Sequence, residues 1–446
     1  NIGGPSWDHR QLESDQRADI VIVGAGYTGL WTAYELLVAQ PDLDVVLLDA
    51  HTAGYGASGR NGGWMSGLLD GPREEWARRC SPQAVVALQR ALNATVDHIA
   101  EVCTIEQIDC DLRKDGALLV ATSSPQERRL DELHASELAW GALDDDWLQL
   151  TATDIEQRIR ISGATAALFN PNCARIQPAK LVRGLVEAVI AKGARLYERS
   201  AVTEIDGHRA VTNRGTITAK WIVRATEGFT ASLPGYRRRL LPMNSAMIIT
   251  DVVPDSIWEQ IGWTGAETFH DLCHRHSYLQ RTVDNRIAIG GRGRPYRYAS
   301  KHDRDGAVDA PTVGELRTRL IELFPSLRDV PIQRGWCGVL GVARDWSTSI
   351  AVDHDTGHCF AGGYAGDGVT AANLAARTLR DLIVGIPSEL TELPWVGHAN
   401  PLWEPEPLRW LGVQSVYHLY RRIDRTETKT GRTSKLTPAA KKIAGR

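Results

Sequence analysis

Three glycines near the start of the chain have the spacing of a phosphate-binding turn. Gly24, Gly26 and Gly29 follow an apolar, β-branched run at residues 20–23. The first glycine allows a tight bend, the second lets backbone N–H groups approach a pyrophosphate, and the third lets a helix lie close to the strand. Asp49 ends a second apolar run, where a carboxylate accepts hydrogen bonds from ribose hydroxyls and repels a 2′-phosphate. The segment predicts strand, turn, helix and strand, with an adenine dinucleotide on the helix N-terminus.

Two further glycine-rich segments occur later in the chain. Residues 51–63 hold five glycines in thirteen positions, which we interpret as a loop rather than a helix or an ordinary strand. Residues 359–383 again have the pattern of strand, glycine turn and helix. A nicotinamide-dependent enzyme needs only the first of the three elements. A buried flavin can use all of them, because a helix N-terminus stabilises the negative charge of the reduced ring near N1 and O2. The three elements together favour FAD.

These segments carry a resemblance to a known family. The motifs are 24–29 (GAGYTG), 58–63 (SGRNGG), 200–204 (SAVTE) with 224–228 (RATEG), and a last set from 336–338 (WCG) through Arg344 and Asp345 to 362–369 (GGYAGDGV). In this order, over nearly its whole length, the chain resembles the D-amino-acid-oxidase-like family of FAD-dependent oxidoreductases. Within that family it is most similar to the gamma-glutamylputrescine oxidase branch. It departs from the family pattern at Glu227 and Asp367.

The resemblance implies contacts along the whole length of FAD. Val202 would touch the adenine through its backbone, Ala225 and Thr226 would flank the pyrophosphate, and the 363–369 segment would face the pyrimidine end of the ring. The residues that we expect to bind FAD are Gly24, Gly26, Tyr27, Thr28, Gly29, Asp49, Ala50, Ser58, Gly59, Arg60, Asn61, Gly62, Gly63, Trp64, Val202, Ala225, Thr226, Gly338, Gly363, Tyr364, Gly366, Asp367, Gly368, Val369 and Thr370.

The resemblance also implies a reaction. Hydride passes from the carbon next to an amine nitrogen to flavin N5, and the resulting imine hydrolyses to an aldehyde or keto product. Oxygen is the expected electron acceptor, with another acceptor as the alternative. No side-chain nucleophile is required, and the sequence contains no GxSxG, HExxH or Walker A motif. For the catalytic walls we expect Trp64, Trp336, Tyr278 and Tyr364, together with Arg292.

Two other interpretations stay open. An amino-acid or N-methyl-amino-acid oxidase or dehydrogenase would need an arginine over the flavin, and Arg281 and Arg292 are the candidates. A flavin-binding module or subunit without its own turnover would be yellow, and no amine would bleach it. A second dinucleotide fold is not expected, because the remaining dense glycine segment, residues 290–295, ends in proline and no helix pattern follows it. The electrons are therefore expected to come from the substrate.

The order of apolar patterns predicts an α/β chain, α+β overall, and the resemblance implies two interleaved domains of the D-amino-acid-oxidase-like fold. A Rossmann-like FAD-binding domain is expected at residues 18–65, 176–235 and 336–390. An antiparallel-sheet substrate domain is expected at residues 66–175 and 236–335, followed by a C-terminal extension at residues 391–446. Pro178 is suited to the first position of a helix that ends before Gly193. The basic end of the chain, residues 435–446, is expected to be a solvated extension.

Composition excludes several function classes. The 446 residues carry a net charge of −3, which gives no electrostatic case for nucleic acid. No apolar stretch reaches membrane-spanning length, and seven cysteines without a close CxxC pair indicate reduced thiols in a cytoplasmic protein. His270, Cys273, His274 and His276 alternate as on a strand rather than as zinc ligands, so we expect no metal. The expected partners are a small-molecule amine, the electron acceptor and a second copy of the chain in a homodimer.

Overall fold

The computed structural model describes residues 7–291, 293–301 and 305–444. The strands follow the chain as β1 Gln16–Val23, β2 Val45–Leu48, β3 Trp64–Ser66, β4 Ala117–Ala121, β5 Leu148–Thr151, β6 Ala166–Asn170, β7 Cys173–Arg175, β8 Arg195–Tyr197, β9 Val202–Asp206, β10 Arg209–Thr212, β11 Thr216–Arg224, β12 Leu241–Thr250, β13 Thr268–Asp271, β14 Tyr278–Arg281, β15 Ile287–Gly291, β16 Ile332–Val342, β17 Ser349–Val352 and β18 His358–Gly362.

Helices connect and cover these strands. They are α1 Tyr27–Ala39, α2 Ala57–Arg60, α3 Arg73–Arg79, α4 Pro82–Ile105, α5 Ser124–Ala139, α6 Ala152–Arg158, α7 Pro178–Ala191, α8 Asp255–Ile261, α9 Ala310–Leu323, α10 Gly368–Val384, α11 Leu408–Thr430 and α12 Thr437–Ala444. Helix α7 begins at Pro178, as the sequence predicts, and the Gln177 side chain accepts a hydrogen bond from the backbone N–H of Lys180.

The first sheet has the arrangement expected for nucleotide binding. Its strands run in the order β17, β18, β11, β1, β2, β8, and β10 with β9 forms a hairpin at the side of β11. Strand β1 pairs in parallel with both β2 and β11, and its residues Ile20, Val21 and Ile22 are fully buried. A strand that is buried on both faces reads as a continuous apolar run rather than an alternating one. The predicted strand, turn, helix and strand are thus confirmed.

The second sheet carries the other half of the molecule. Its order is β16, β12, β15, β14, β13, β4, β6, β5. Every pairing is antiparallel except that between β13 and β4. This agrees with the predicted, largely antiparallel substrate sheet, and the α/β fold class is confirmed.

Membership of the sheets and cores differs from the predicted domain bounds at two places. Strand β16 crosses the expected bound at residue 336 and pairs along its length with β12 in the second sheet. Helix α4 belongs to the expected substrate segment, yet its Leu88, Leu92 and Val96 pack in the core of the nucleotide half. A stripe of apolar residues shows that a helix has a buried face but not which core buries it. The remaining domain bounds stay a prediction.

The expectation of a continuous loop at residues 51–63 is wrong at one turn. Residues Ala57–Arg60 form the short helix α2, and the backbone N–H of Gly59 donates to the Gly54 carbonyl at 3.0 Å. A Cβ on Gly59 would lie 2.4 Å from that oxygen. Glycine here permits a tightly packed helical turn, so a high glycine content does not exclude a helix of one turn.

The C-terminal segment packs against the body. Trp403 donates its indole N–H to the Val342 carbonyl at 2.8 Å, and Trp346 donates to the Ala444 carbonyl at 2.9 Å. Ala440 of α12 is fully buried, so the end of the chain, expected to be a solvated extension, packs against the body at this residue. Within the described residues, no helix is both long and apolar enough to cross a bilayer.

Candidate functional site

The glycine turn after β1 has no room for side chains. Gly24 has a φ of +109°, and a Cβ there would lie 2.6 Å from the Ala225 carbonyl oxygen. A Cβ on Gly29 would lie 1.9 Å from the carbonyl oxygen of Gly24. A Cβ on Gly26 would meet the Ser58 hydroxyl at 2.8 Å. The turn therefore presents its backbone at the N-terminus of α1, as a phosphate group requires.

Asp49 lies at the end of β2, next to this turn. Its Oδ2 accepts from the backbone N–H of Ala25 and its Oδ1 from that of His51, both at 2.8 Å. Burial raises the pKa of the Asp49 carboxyl above its ordinary value, although both backbone donors act to lower it. The backbone N–H of Ser200 donates to the Asp49 carbonyl at 2.7 Å, which places the chain leading to Val202 beside Ala50. This end of the site has the polar groups that an adenosine needs.

Two other predicted cofactor residues follow β11 beside the same turn. The backbone N–H of Ala225 donates to the Val23 carbonyl at 2.9 Å, which fixes it against the end of β1. The hydroxyl groups of Thr226 and Thr230 lie 2.9 Å apart. The position of both residues suits a pyrophosphate lying across the turn.

Helix α2 closes over the start of α1. The Ser58 hydroxyl accepts from the backbone N–H of Tyr27 at 2.8 Å. Asn61 ends the turn by accepting from the N–H of Gly63 at 2.8 Å, and Gly63 itself has a φ of +73°. The guanidinium of Arg60 lies 4.3 Å from the centre of the Tyr55 ring. Polar atoms of the 58–63 segment thus meet the first glycine turn in space.

Two neighbouring cavities open beside α2, of about 60 Å³ and about 250 Å³. Both are lined by Ala57, Asn61, Leu340, Ala365, Gly366 and Val369. The smaller cavity is also lined by Tyr27, Thr28, Ser58, Glu227, Gly341, Tyr364 and Gly368. The larger is also lined by Arg60, Gly62, Trp64, Leu68, Asp70, Ser245, His270, His276, Tyr278, Gly338 and Asp367.

The residues around the cavities fit a flavin dinucleotide. The N-termini of both α1 and α10 face the smaller cavity, through Tyr27 and Gly368. Two helix N-termini favour negative charge there. The buried hydroxyl of Thr370, in the first turn of α10, has no hydrogen-bond partner among the described residues. Glycine turns and helix N-termini together form a site for a phosphate-linked, partly anionic cofactor.

Glu227 fixes the junction between the two halves at this site. Its Oε1 accepts from the backbone N–H groups of Gly363 at 2.9 Å and Tyr364 at 3.1 Å. Its Oε2 accepts from that of Gly341 at 2.5 Å. Burial raises the pKa of the Glu227 carboxyl to about 7, against the three backbone donors. One carboxylate thus ties β16 of the second sheet to the loop between β18 and α10 of the first.

The larger cavity has aromatic and polar walls. The ring of Trp64 lies 5.8 Å from that of His270 and 6.4 Å from that of Tyr278, centre to centre. The hydroxyl groups of Tyr278 and Ser245 lie 2.8 Å apart, which fixes the tyrosine ring. The carboxylates of Asp70 and Asp367 belong to the same lining. Such walls suit a cationic or neutral amine.

The predicted catalytic residues are only partly brought together. Trp64 and Tyr278 line the larger cavity, and Tyr364 lines the smaller one, where its hydroxyl lies 3.0 Å from that of Thr28. Trp336 is outside both linings and donates its indole N–H to the Arg60 carbonyl at 2.9 Å. Arg292 lies outside the described residues.

Eight residues on the wall of the larger cavity were not predicted for it, and four of these are polar: Asp70, Ser245, His270 and His276. Three of them are on or near neighbouring strands, where every second side chain faces the cavity. Their role depends on which strands are paired, and the sequence carries no local signal for that.

The histidine and cysteine cluster divides in space. His270 and His276 face the larger cavity, whereas His274 stacks on Tyr420 with 5.5 Å between ring centres. His274, Asp424 and Glu427 have potential ligand atoms within 4.8 Å of one another. These acids already have partners: Arg129 lies 2.8 Å from Glu427, and Asp424 accepts from two backbone N–H groups. The prediction of no metal stays a prediction.

Comparison with known proteins identifies relatives. The family described as FAD dependent oxidoreductase (DAO) matches residues 19–382. Gamma-glutamylputrescine oxidoreductase of Escherichia coli (strain K12) is 30% identical over 84% of this chain and 85% of its own length. Glycine oxidase of Geobacillus kaustophilus (strain HTA426) is 24% identical over 82% of this chain and 93% of its own length.

Solved structures share the fold. The crystal structure of glycine oxidase from Geobacillus kaustophilus has a TM-score of 0.69 at 22% identity and covers 86% of this chain and 100% of that chain. The crystal structure of L-proline dehydrogenase from P. horikoshii has a TM-score of 0.70 at 18% identity and covers 85% of this chain and 98% of that chain.

Proposed function

Because this chain belongs to the FAD dependent oxidoreductase family and acts on C–N bonds, we propose that the larger cavity receives an aliphatic amine and places its reacting carbon at the flavin. When bound, FAD supplies the hydride acceptor for the carbon next to nitrogen. The observation that carries the proposal is the cavity lining, in which Trp64 and Tyr278 stand with the carboxylates of Asp70 and Asp367. Aromatic faces and carboxylates attract a cationic amine.

The chain's own residues would bind and orient at defined places. Arg60, Asn61 and Gly62 line the cavity on the side of α2, and Gly366, Asp367 and Val369 line it at the start of α10. The N-terminus of α10 would stabilise the negative charge that develops during the reaction. Tyr278, fixed by Ser245, would form the wall against which the substrate is oriented.

The relative at 30% identity is named for gamma-glutamylputrescine, a linear molecule with a primary amine at one end. The aromatic side chains of Trp64 and Tyr278 and the acidic residues Asp70 and Asp367 in the lining support an aliphatic amine of that kind. We propose oxygen as the electron acceptor.

The test is anaerobic mixing of the FAD-loaded protein with single compounds. Gamma-glutamylputrescine, putrescine and butylamine represent amines, and glycine, sarcosine and proline represent amino acids. We expect loss of the flavin absorbance with an amine, followed by peroxide formation when air is admitted. Reduction without peroxide would replace oxygen by another acceptor, and a yellow protein that no compound bleaches would overturn the proposal.

An amino-acid or N-methyl-amino-acid substrate is the second candidate, and the similarity to glycine oxidase favours it. Of its two arginine candidates, Arg281 lies with its guanidinium over the Trp258 ring at 4.1 Å and donates to Asn285 at 2.7 Å. It is not among the described residues that line the larger cavity. This candidate therefore predicts that Arg292→Ala raises KM for sarcosine and glycine whereas the matched Arg281→Ala does not. Equal KM values in both variants would count against it.

We also propose a cytoplasmic homodimer. All seven cysteines are free, which supports a reducing compartment. Leu402, Leu408 and Leu411 are 48%, 60% and 49% exposed around the start of α11, which supports an apolar contact between two copies. Light scattering after size exclusion should give twice the mass of one chain, and Leu408→Glu should reduce it.

A further inference from the structure

His270 is a half-buried imidazole in the larger cavity, and it is not among the residues that we expect to bind FAD. It lies on β13, directly opposite Tyr278 of β14, and its ring lines the cavity. The next residue, Asp271, faces the other side of the sheet, where Arg319 binds its carboxylate at 2.8 Å. The alternation of the strand thus separates a neutral ring on the cavity side from an ion pair on the other side.

The hydrogen bonding of His270 fixes which nitrogen carries the proton. Its Nδ1 lies 2.7 Å from the Asp271 carbonyl oxygen, and because a carbonyl only accepts, Nδ1 must donate. Among the described residues, no group is hydrogen-bonded to the other nitrogen, Nε2. Burial lowers the pKa of the imidazole below its usual value, although the neighbouring Asp271 acts to raise it. At neutral pH, Nε2 therefore offers a lone pair to the cavity.

The proposed reaction needs an acceptor at this place. An aliphatic amine in water is an ammonium ion with a pKa of about 10, and an ammonium nitrogen has no lone pair with which to form the C=N bond. We propose that Nε2 of His270 accepts a proton from the ammonium group of the substrate, so that the amine is neutral when its C–H bond is oxidised. This inference rests on the proposed function.

The step is a proton transfer that balances by itself. One N–H bond of the ammonium breaks and one N–H bond forms at Nε2, so the positive charge moves to the imidazole and no electrons are transferred. The ring faces His276 at 5.8 Å between centres and shares the cavity with Tyr278, Arg60, Asp70 and Asp367. The charge of Asp271 favours the imidazolium once it forms, and desolvation in the cavity weakens the ammonium's hold on its proton.

The test compares wild-type holoenzyme with His270→Asn, because the asparagine amide can keep the donation to the Asp271 carbonyl while Nε2 is lost. Anaerobic flavin reduction is followed from pH 5 to 10 with gamma-glutamylputrescine, putrescine and butylamine as probes. We plot the ratio of the flavin reduction rate to the apparent dissociation constant against pH. In wild type we expect this ratio to be constant over a range of pH below the pKa of the amine. In His270→Asn the ratio should rise tenfold per pH unit up to about pH 10, and at pH 7 it should be lower than in wild type by on the order of a hundredfold or more. His208→Asn, an exposed histidine outside both cavity linings, should keep the wild-type plateau.

A second readout does not depend on turnover. The protons released on amine binding are measured with an indicator dye in weak buffer at pH 8. Wild-type protein should release fewer protons than the variant, because the imidazole shares the proton of the ammonium group, whereas His270→Asn should release about one per amine bound. His270→Gln, which restores a neutral acceptor but no base, should behave like His270→Asn.

The outcomes separate this proposal from the one on which it rests. Bleaching by an amine with the same pH profile in wild type and both His270 variants would overturn the role of His270 alone. Bleaching by none of the three amines would overturn the proposed function together with it. Proton release that is equal in wild type and His270→Asn would also overturn the role of His270, whether or not the variant is slow.

Discussion

The nucleotide turn and the substrate wall are built from different kinds of information. The turn comes from one continuous segment, β1, α1 and β2, and the groups it presents are backbone atoms around Gly24, Gly26 and Gly29. The wall of the larger cavity combines β12, β13, β14, β16 and the segment around β3 with α2 and the start of α10, and its aromatic and charged groups are side chains. The backbone geometry of the turn follows from the spacing of a few residues, whereas the cavity wall depends on the order of strands in the sheet.

This difference predicts how each region fails. A single added methyl group should destroy the turn, since its backbone has no alternative conformation. A single substitution in the cavity wall should leave the fold intact but should alter the chemistry. The experiments below test this difference between the turn and the cavity wall, beginning with the largest expected effect.

Gly29→Ala should abolish FAD binding. The added Cβ would lie 1.9 Å from the Gly24 carbonyl oxygen, so α1 must move away from the turn that holds the pyrophosphate. The ratio of flavin absorbance to protein absorbance should fall to near zero. Gly314→Ala on α9 is the matched control, because nothing lies within 4 Å of its Cβ and alanine favours a helix by about 1 kcal/mol. A yellow Gly29→Ala protein would contradict the assignment of the turn.

Glu227→Gln should change how stability depends on pH. Glu227 has a pKa raised from 4.5 to about 7 in the folded protein, so the folded state binds its proton more tightly than the unfolded state. The contribution of Glu227 to the free energy of unfolding is therefore complete below about pH 4.5 and is lost as the pH rises through about 7. The free energy of unfolding should fall by up to about 3 kcal/mol over this range. The variant should lack this decline in denaturant unfolding of the FAD-loaded protein.

Exposed Glu259 provides the matched control for that measurement. Glu259→Gln should keep the wild-type dependence of the free energy of unfolding on pH. If Glu227→Gln keeps it as well, the junction between β16 and the loop before α10 does not depend on a titrating carboxyl.

Asp49→Ala should weaken FAD binding without abolishing it. The carboxylate accepts two backbone hydrogen bonds and is expected to bind the ribose, and a hydrogen bond to a charged group contributes about 2 kcal/mol. The dissociation constant, measured from flavin fluorescence on dilution, should rise by about 10- to 100-fold. Asp49→Asn retains a hydrogen-bond acceptor, so its dissociation constant for FAD should lie between those of wild type and Asp49→Ala. An unchanged affinity of Asp49→Ala for FAD would show that the Asp49 carboxylate does not contribute to FAD binding.

What could be predicted from the sequence follows the same contrast. The family, the fold, FAD and oxidation at a C–N bond are confirmed, because each depends on contiguous motifs. The structure also brings Arg60, Asn61 and Gly62 together with Gly366 and Asp367, although more than 300 positions separate them in the numbering. Their roles as cofactor ligands stay predictions.

The errors arose where tertiary contacts decide. The one-turn helix α2 depends on a hydrogen bond from Gly59 to Gly54, which no composition reveals. Trp336 adjoins a motif and donates its indole N–H to the Arg60 carbonyl, and its role as a catalytic wall stays a prediction. His270 is expected not to bind a metal, and only the pairing of β13 with β14 places it at the larger cavity.

The most direct test of the central claim is an anaerobic single turnover with product analysis. FAD-loaded protein is mixed with one equivalent of gamma-glutamylputrescine, the loss of flavin absorbance is recorded, and the aldehyde and ammonia are quantified. The account predicts one aldehyde and one ammonia for each flavin bleached. Bleaching without a carbonyl product, or no bleaching by any amine of a protein that holds FAD, would contradict it.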